Sequence, residues 1–305
     1  MSLTIVGTVA FDSVKTPYGE ARKVIGGAAT FAGWSASYLH SEVRLISIIG
    51  DDWPEEELKK MQARGIDTGG IEIVPGGKSF YWEGEYDKNM IDRTTLLTDL
   101  NVLDDFNPVL PSKYKNTEFL MLGNLTPEIQ RTIIDQMEER PKLIVMDTMN
   151  FWIDIALPSL EDTIRRVDVL SINDEEARLL SGEYNLLRAA DRILDYGLRY
   201  LIIKKGEHGA LLFSKDQMFF APALPLAEIT DPTGAGDSFA GGLMGYLASQ
   251  SEITFEHMKM ALVHGAAMGS FCVEDFSLRK LQNLTREQID TRVNDLIELA
   301  RVEKL

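Results

Sequence analysis

One cysteine, Cys272, is all that this chain of 305 residues contains, and its four histidines, His40, His208, His257 and His264, are widely scattered. A single thiol excludes any intrachain disulfide framework and any cysteine-based zinc cluster, and the histidine spacing suggests no metal site. Basic charge is also short: 31 Lys and Arg stand against 47 Asp and Glu, a formal charge of −16. Nucleic-acid binders need a basic face, and no Lys/Arg cluster supplies one, so no nucleic-acid partner is expected. No run reaches 18 apolar residues free of charge or glycine, so no membrane span is expected either. The opening stretch 1–14 lacks a basic segment ahead of a long apolar one and reads as a buried strand, not a targeting peptide. These features predict a soluble cytoplasmic chain whose acidity serves solubility. Two nucleotide-binding strings are missing as well. The absence of G-x-x-x-x-G-K-[ST] disfavours a P-loop fold, and the absence of G-x-G-x-x-G in an early βα turn disfavours a nicotinamide enzyme.

What is present is apolar material in short runs. Some 45% of the residues are hydrophobic, enough for one large core or for a core with a smaller appendage. β-Branched runs alternate with helical patterns, as in βαβ units around a mostly parallel sheet. Strands are predicted at 3–6, 43–49, 119–122, 143–146, 169–172 and 200–203, with an antiparallel pair at 211–213 and 217–220. Helices are predicted at 30–39, 54–64, 127–138, 174–180, 187–196, 235–248, 255–271 and 286–299. Between Ile71 and Asn101 this rhythm breaks into extended pieces, IEIV, KSFYWEGEY and TTLLTDL, with no helix between them. Segment 71–101 therefore predicts a small antiparallel sheet inserted as a lid into a single domain spanning 1–305; a surface hairpin is the plainer alternative. Sheets of this kind bind ligands beyond the carboxyl ends of their strands.

The sharpest local signal is ITDPTGAGDSFAGG, from Ile229 to Gly242, which follows an extended stretch and precedes a helical pattern. Gly234, Ala235 and Gly236 can present several backbone N–H groups at the start of that helix. Such a nest, with the helix dipole behind it, holds charge developing on a phosphoryl group. Asp237, in the first helical turn, would repel a phosphate as a ligand; it suits a general base that takes a proton from an attacking hydroxyl. Asp231 can shape the loop or help hold a cation. The plainer alternative is an Asx turn and helix cap, with both carboxylates serving only as caps.

The string DPTGAGDSFAGG resembles the carboxyl-terminal signature of the PfkB-type carbohydrate kinases, the ribokinase-like family. Gly26-Gly27-Ala28-Ala29-Thr30 matches the amino-terminal signature, Asn173-Asp174-Glu175-Glu176 matches an Asn-x-x-Glu element, and the lid falls where the family carries one. The resemblance covers nearly the whole chain. It implies a three-layer α/β fold with a central, mostly parallel sheet and a small inserted β lid, and ATP-dependent phosphorylation of an alcohol with Mg2+. Asp237 is then the base, and Gly234, Ala235 and Gly236 form the anion hole. Asp12 is implied to bind sugar hydroxyls, which a carboxylate does by accepting paired hydrogen bonds from a diol. Gly26 and Gly27 would let the backbone approach the substrate. Asn173 and Glu176 are assigned to the magnesium and phosphate environment, partly through water, although N-x-x-E is also a capping box. Asp231 joins them as a metal-site residue. Lys205, Gly206 and Gly209 resemble the family's turn near the nucleotide phosphates and ribose. His264 falls where many relatives place Asn near the base, and Asn124 is a further polar contact.

Specificity is less determined. Many relatives carry D-P-N-x-R after the strand that matches 143–146; here Asp147-Thr148-Met149-Asn150-Phe151 puts a ring where the guanidinium would stand. That argues for a neutral sugar or polyol rather than a sugar phosphate or keto-acid sugar, although Arg93 in the lid can restore a positive charge. A nucleoside is the alternative acceptor, with Phe31, Trp34, Phe151 or Trp152 as a shelf for its base. A noncatalytic sugar or nucleotide sensor, and a phosphomethylpyrimidine or pyridoxal kinase, are further alternatives. K+ beside the anion hole is left open: Asp231 is present, but Cys272–Ser277 reads CVEDFS where relatives carry small residues and glycine. A homodimer through the lid is open too, since Phe80 and Trp82 share one strand face and Tyr81 takes the other.

Overall fold

Strands that are apolar on both faces need helices above and below them, and the computed structural model, which describes residues 1–302, has that arrangement. The last three positions of the predicted 1–305 domain lie outside the described residues. The chain opens with β1 (Leu3–Val6), β2 (Ala10–Thr16), β3 (Gly19–Gly26), α1 (Ala28–Ser37), β4 (Val43–Gly50), α2 (Glu55–Ala63), β5 (Ile66–Val74), β6 (Phe80–Tyr86) and β7 (Arg93–Asp99). It continues with β8 (Phe119–Leu122), α3 (Pro127–Asp135), β9 (Leu143–Asp147), α4 (Asn150–Ile155), α5 (Leu157–Ile164), β10 (Val169–Asn173), α6 (Asp174–Ser181) and α7 (Leu186–Leu194). Then come β11 (Tyr200–Lys204), β12 (Ala210–Phe213), β13 (Met218–Ala221), α8 (Ala235–Ala248), α9 (Phe255–Cys272) and α10 (Arg286–Leu299).

Among the described residues, nine strands form one sheet in the order β13-β12-β11-β10-β9-β8-β1-β4-β5. From β11 to β5 the neighbours run parallel, while β12 and β13 are antiparallel. One apolar cluster, including Phe31, Met244, Leu262 and Ile289, packs α1, α8, α9 and α10 on one face. A second, including Ile133, Leu160, Ala177 and Ile193, packs α3, α5, α6 and α7 on the other. This is the expected three-layer α/β architecture. The short helices α4 and α5 were not predicted; each is too brief to show a clear helical period. No helix among the described residues is long and apolar enough to cross a membrane.

A second, four-stranded sheet has the order β3-β2-β6-β7 and forms the lid. Its extent corrects the expected 71–101 boundary. Ile71–Val74 belongs to β5, which pairs in parallel with β4 in the large sheet through Ser47↔Ile71 and Ile48↔Glu72. Half of the lid comes instead from residues 10–26, ahead of α1. Strand β2 joins β6 in parallel, with Asp12 opposite Trp82, so the lid is not purely antiparallel. Distant parallel partners leave no turn signal between them, and the polar β2 carries little apolar alternation of its own.

Candidate active site

Because the strands from β1 to β11 run parallel, their carboxyl ends share one edge of the sheet. There β1 continues toward β4 while β8 continues toward β9 on the other side, and such a reversal leaves a crevice for a ligand. Helix α8 starts at this edge. Gly234 caps it with φ 78°, and a Cβ there would stand 2.5 Å from the Phe31 ring, so glycine alone fits both the backbone and the space. No side chain caps α8; the Ala235 N–H donates to Pro232 O at 3.1 Å, and the N–H groups that follow it in the first turn point outward along the helix dipole.

Asp237 lies in that first turn, partly buried. Burial pushes its pKa up to about 6; Asp147 adds to the rise, while Lys204 and Arg93 oppose it. Asp231 instead forms the Asx turn of the plainer reading, its Oδ1 accepting the Thr233 N–H at 2.8 Å. The Asp231 N–H donates to Val273 O at 3.3 Å and Thr230 Oγ1 to Glu274 O at 3.0 Å, so the loop before α8 and the Cys272–Ser277 segment do meet. Cys272 is buried.

The strand ends supply the next residues. Val145, Val169 and Ile202 face α8 and α9, so period-2 alternation sends Asp147, Asn173 and Lys204 to the same side. Lys204 Nζ donates to both Asp147 carboxylate oxygens at 3.2 and 3.3 Å. It also stands 3.5 Å from the position a Cβ on Gly236 would take. The two side chains are 18% and 10% exposed. Burial works against the lysine's charge, but Asp147, Glu176 and Asp237 together raise its pKa. Lys205, expected near the nucleotide phosphates, is the next residue in the chain. The Lys205 backbone closes a turn, donating to Gly209 O at 2.8 Å, with Gly206 and Gly209 at φ 53° and 83°. The alternation along β11 was the signal that separates the two lysines.

Asn173 and Glu176 complete both halves of a capping box: the Glu176 N–H donates to Asn173 Oδ1 at 2.7 Å and the Asn173 N–H to Glu176 Oε2 at 2.8 Å. Glu176 is 7% exposed. Burial raises its pKa to about 7, opposed by Lys204 and assisted by Asp147. Of the expected metal set, Asn173 and Glu176 bond each other, while Asp231 bonds Thr233 and Val273. Among the described residues no group of three or more His, Cys, Asp and Glu is arranged to hold a metal ion.

The lid covers this edge with its inner face. Asp12 on β2 is 6% exposed, and burial raises its pKa to about 7, with Asp231 and Asp237 adding to the rise and the Gly27 N–H opposing it. Thr233 Oγ1 donates to the Tyr86 hydroxyl at 3.3 Å, which ties the lid to the loop before α8. Arg93, opposite Tyr86 on β7, lies 5.5 Å from the Trp82 ring, and its charge lowers the pKa values of Asp12, Asp237 and Glu176.

Two residues expected as ligand contacts also have partners within the protein. Asn124 Nδ2 donates to Met149 Sδ at 3.1 Å and its Oδ1 accepts Trp152 Nε1 at 2.9 Å, so the amide fixes the start of α4. His264 stacks on Tyr246 at 4.4 Å, and its Nδ1 lies 2.9 Å from Met260 O. Tyr246 is ten residues beyond Gly236 on α8, roughly 15 Å along the axis, so His264 stands well away from Asp237.

Comparison with known proteins accords with this geometry. The model described as pfkB family carbohydrate kinase matches residues 3–284. A cytidine kinase of Thermococcus kodakarensis is 27% identical over 253 residues, which cover 81% of this chain and 88% of that protein. The crystal structure of the Methanocaldococcus jannaschii nucleoside kinase gives a TM-score of 0.76 at 20% identity, covering 97% of this chain and 99% of that one. Aminoimidazole riboside kinase from Salmonella enterica, solved with aminoimidazole riboside and an ATP analogue, gives 0.73 at 19% identity, covering 96% and 100%.

Proposed function

This chain belongs to the pfkB carbohydrate kinase family, whose members pass a phosphoryl group to a small molecule, and from that membership we propose that it transfers the γ-phosphate of ATP to a hydroxyl of a small neutral sugar or polyol. One observation carries the reading: an uncapped α8 N-terminus, with Asp237 in its first turn and Lys204 and Arg93 lowering that carboxyl's raised pKa.

In this reading the γ-phosphate rests over Gly234, Ala235 and Gly236, whose N–H groups offset the charge that develops during transfer. Asp12, on the inner face of the lid, accepts hydrogen bonds from the acceptor's hydroxyls beside the Gly26-Gly27 backbone. Asp237 takes the proton of the attacking hydroxyl. That oxygen bonds to the γ-phosphorus as the bond to the bridging oxygen breaks, so the electron pair leaves with ADP. The turn from Lys205 through Gly206 to Gly209 borders the nucleotide. The buried Glu176 carboxylate suits Mg2+, a hard ion that keeps several waters and takes few protein ligands. Bound Mg2+ neutralises charge on the phosphates. Asp231 and the Cys272–Ser277 segment give K+ a place to be tested.

A nucleoside is the second reading, and a specific feature favours it. Phe151 is 49% exposed and meets Trp152 edge-on at 4.9 Å. Asn124 holds Trp152, so the pair offers a fixed aromatic shelf near the end of β9. The cytidine kinase relative points the same way.

The test follows ADP formation from Mg·ATP across neutral sugars, polyols, nucleosides and keto-acid sugars, with and without K+, beside Asp237→Asn, with products identified by mass. A rate above the ATP-only background for one acceptor, abolished in the variant, is expected. Full activity in Asp237→Asn would remove the assigned base.

A further inference from the structure

The acidic groups around Asp237 outnumber the cations. Asp12 from β2, Asp147 from β9, Glu176 from α6 and Asp231 from the loop stand against Lys204 from β11 and Arg93 from β7, with the neutral Cys272 thiol on α9. A polyanionic phosphoryl donor can enter so negative an edge only where a cation meets it. Arg93 arrives with the lid, whereas Lys204 is fixed on a strand of the large sheet.

We propose that Lys204 is a catalytic residue of the transfer: its Nζ turns from Asp147 to the phosphoryl group in flight, and Asp147 is the positioning residue that holds it ready. This rests on the kinase reading above. Three observations support it. The Lys204–Asp147 contacts, at 3.2 and 3.3 Å, are longer than the ~2.7–2.9 Å of a tight charge-assisted bond, so the ammonium is held without being locked. Nζ stands 3.5 Å from the Cβ position of Gly236, so a group bonded to the first N–H groups of α8 lies within its reach. Finally, Asp147, Glu176 and Asp237 all raise the Lys204 pKa, which keeps the ammonium charged beside the α8 N-terminus. No atom or electron balance changes: Lys204 stays protonated and offsets charge on the equatorial oxygens while Asp237 takes the hydroxyl proton.

The experiment compares wild type with Lys204→Met, Lys204→Arg, Asp147→Asn and the double variant Asp147→Asn/Lys204→Met on the best acceptor. Turnover, ATP affinity by calorimetry, thermal midpoint and the pH profile of kcat/KM are all read. Lys204→Met is expected to lower kcat about 10²–10³-fold, with ATP affinity changed far less. The acid limb should move to higher pH in Lys204→Met, which no longer lowers the Asp237 pKa, and to lower pH in Asp147→Asn. Lys204→Arg should recover part of the rate. The double variant leaves no buried unpaired carboxylate at this pair, so it should regain thermal stability but not turnover. A double variant within about threefold of wild-type kcat would overturn the proposal and leave Lys204 a structural ion-pair partner. A wild type inactive with every acceptor would overturn the kinase reading itself, and this inference with it; an active wild type separates the two failures.

Discussion

Gly26 and Asp12 approach across the lid so closely that a Cβ at position 26 would lie 1.9 Å from Asp12 Oδ2. The glycine therefore leaves room for a buried carboxylate on the neighbouring strand. Gly26→Ala should push Asp12 out of place, raising the acceptor KM at least about tenfold while ATP affinity stays near wild type. Calorimetry with ATP and steady-state kinetics with the acceptor check the split; a parallel loss of both would show a general collapse of the lid.

Gly234 combines φ 78° with the Phe31 ring 2.5 Å from its Cβ position. Gly234→Ala should cost about 2–4 kcal/mol from the left-handed backbone and overpacking together, read as an earlier urea midpoint. Turnover should fall as well, since the first turn of α8 shifts.

As the proposed general base, Asp237 must be deprotonated to act. With Asp237 at about 6, kcat/KM should fall as pH drops through about 6, with a steeper fall if Asp12, at about 7, must also be ionised to bind the acceptor. A profile flat down to pH ~4, the ordinary range of an aspartate, would contradict the assignment.

The same shifts act on stability. Asp12, Glu176 and Asp237 all have folded pKa values above their ordinary ones, so the folded state holds extra protons. Their stabilising contribution is complete below about pH 4 and is lost as pH rises through about 6–7. The ligand-free thermal midpoint should fall over that interval, and Asp12→Asn should flatten the fall by stabilising the protein more at pH 8 than at pH 5.

Glu176 holds both a cap and a charge. Glu176→Gln keeps an acceptor for the Asn173 N–H, as glutamine does in capping boxes. It should therefore leave the thermal midpoint close to wild type while raising the magnesium needed for half-maximal rate. Asn173→Ala loses the cap itself and should cost about 1 kcal/mol of stability.

Much of the large sheet could be read from the sequence because its strands are short apolar runs set between helical patterns. Helices α8 and α10 have the expected bounds, 235–248 and 286–299. The Gly234–Asp237 turn was visible because glycine, helix start and carboxylate are adjacent in the chain. Arg93 was placed in the lid from its position alone. Other relationships are not legible in the chain. The turn string around Lys205 is visible in the chain, whereas the contact of Lys204 with Asp147 joins strands far apart in it.

The sequence by itself determined the α/β alternation, the family signature and the local conformation of the loop before α8, since each depends on residues a few positions apart. Only the tertiary structure decided that residues 10–26 supply half the lid, that Gly26 makes room for Asp12, and that Lys204, Asp147, Glu176 and Asp237 share one electrostatic site. These relationships join strands and helices far apart in the chain. Parallel pairing, burial and the electric field of neighbouring carboxylates exist only once those elements have packed together.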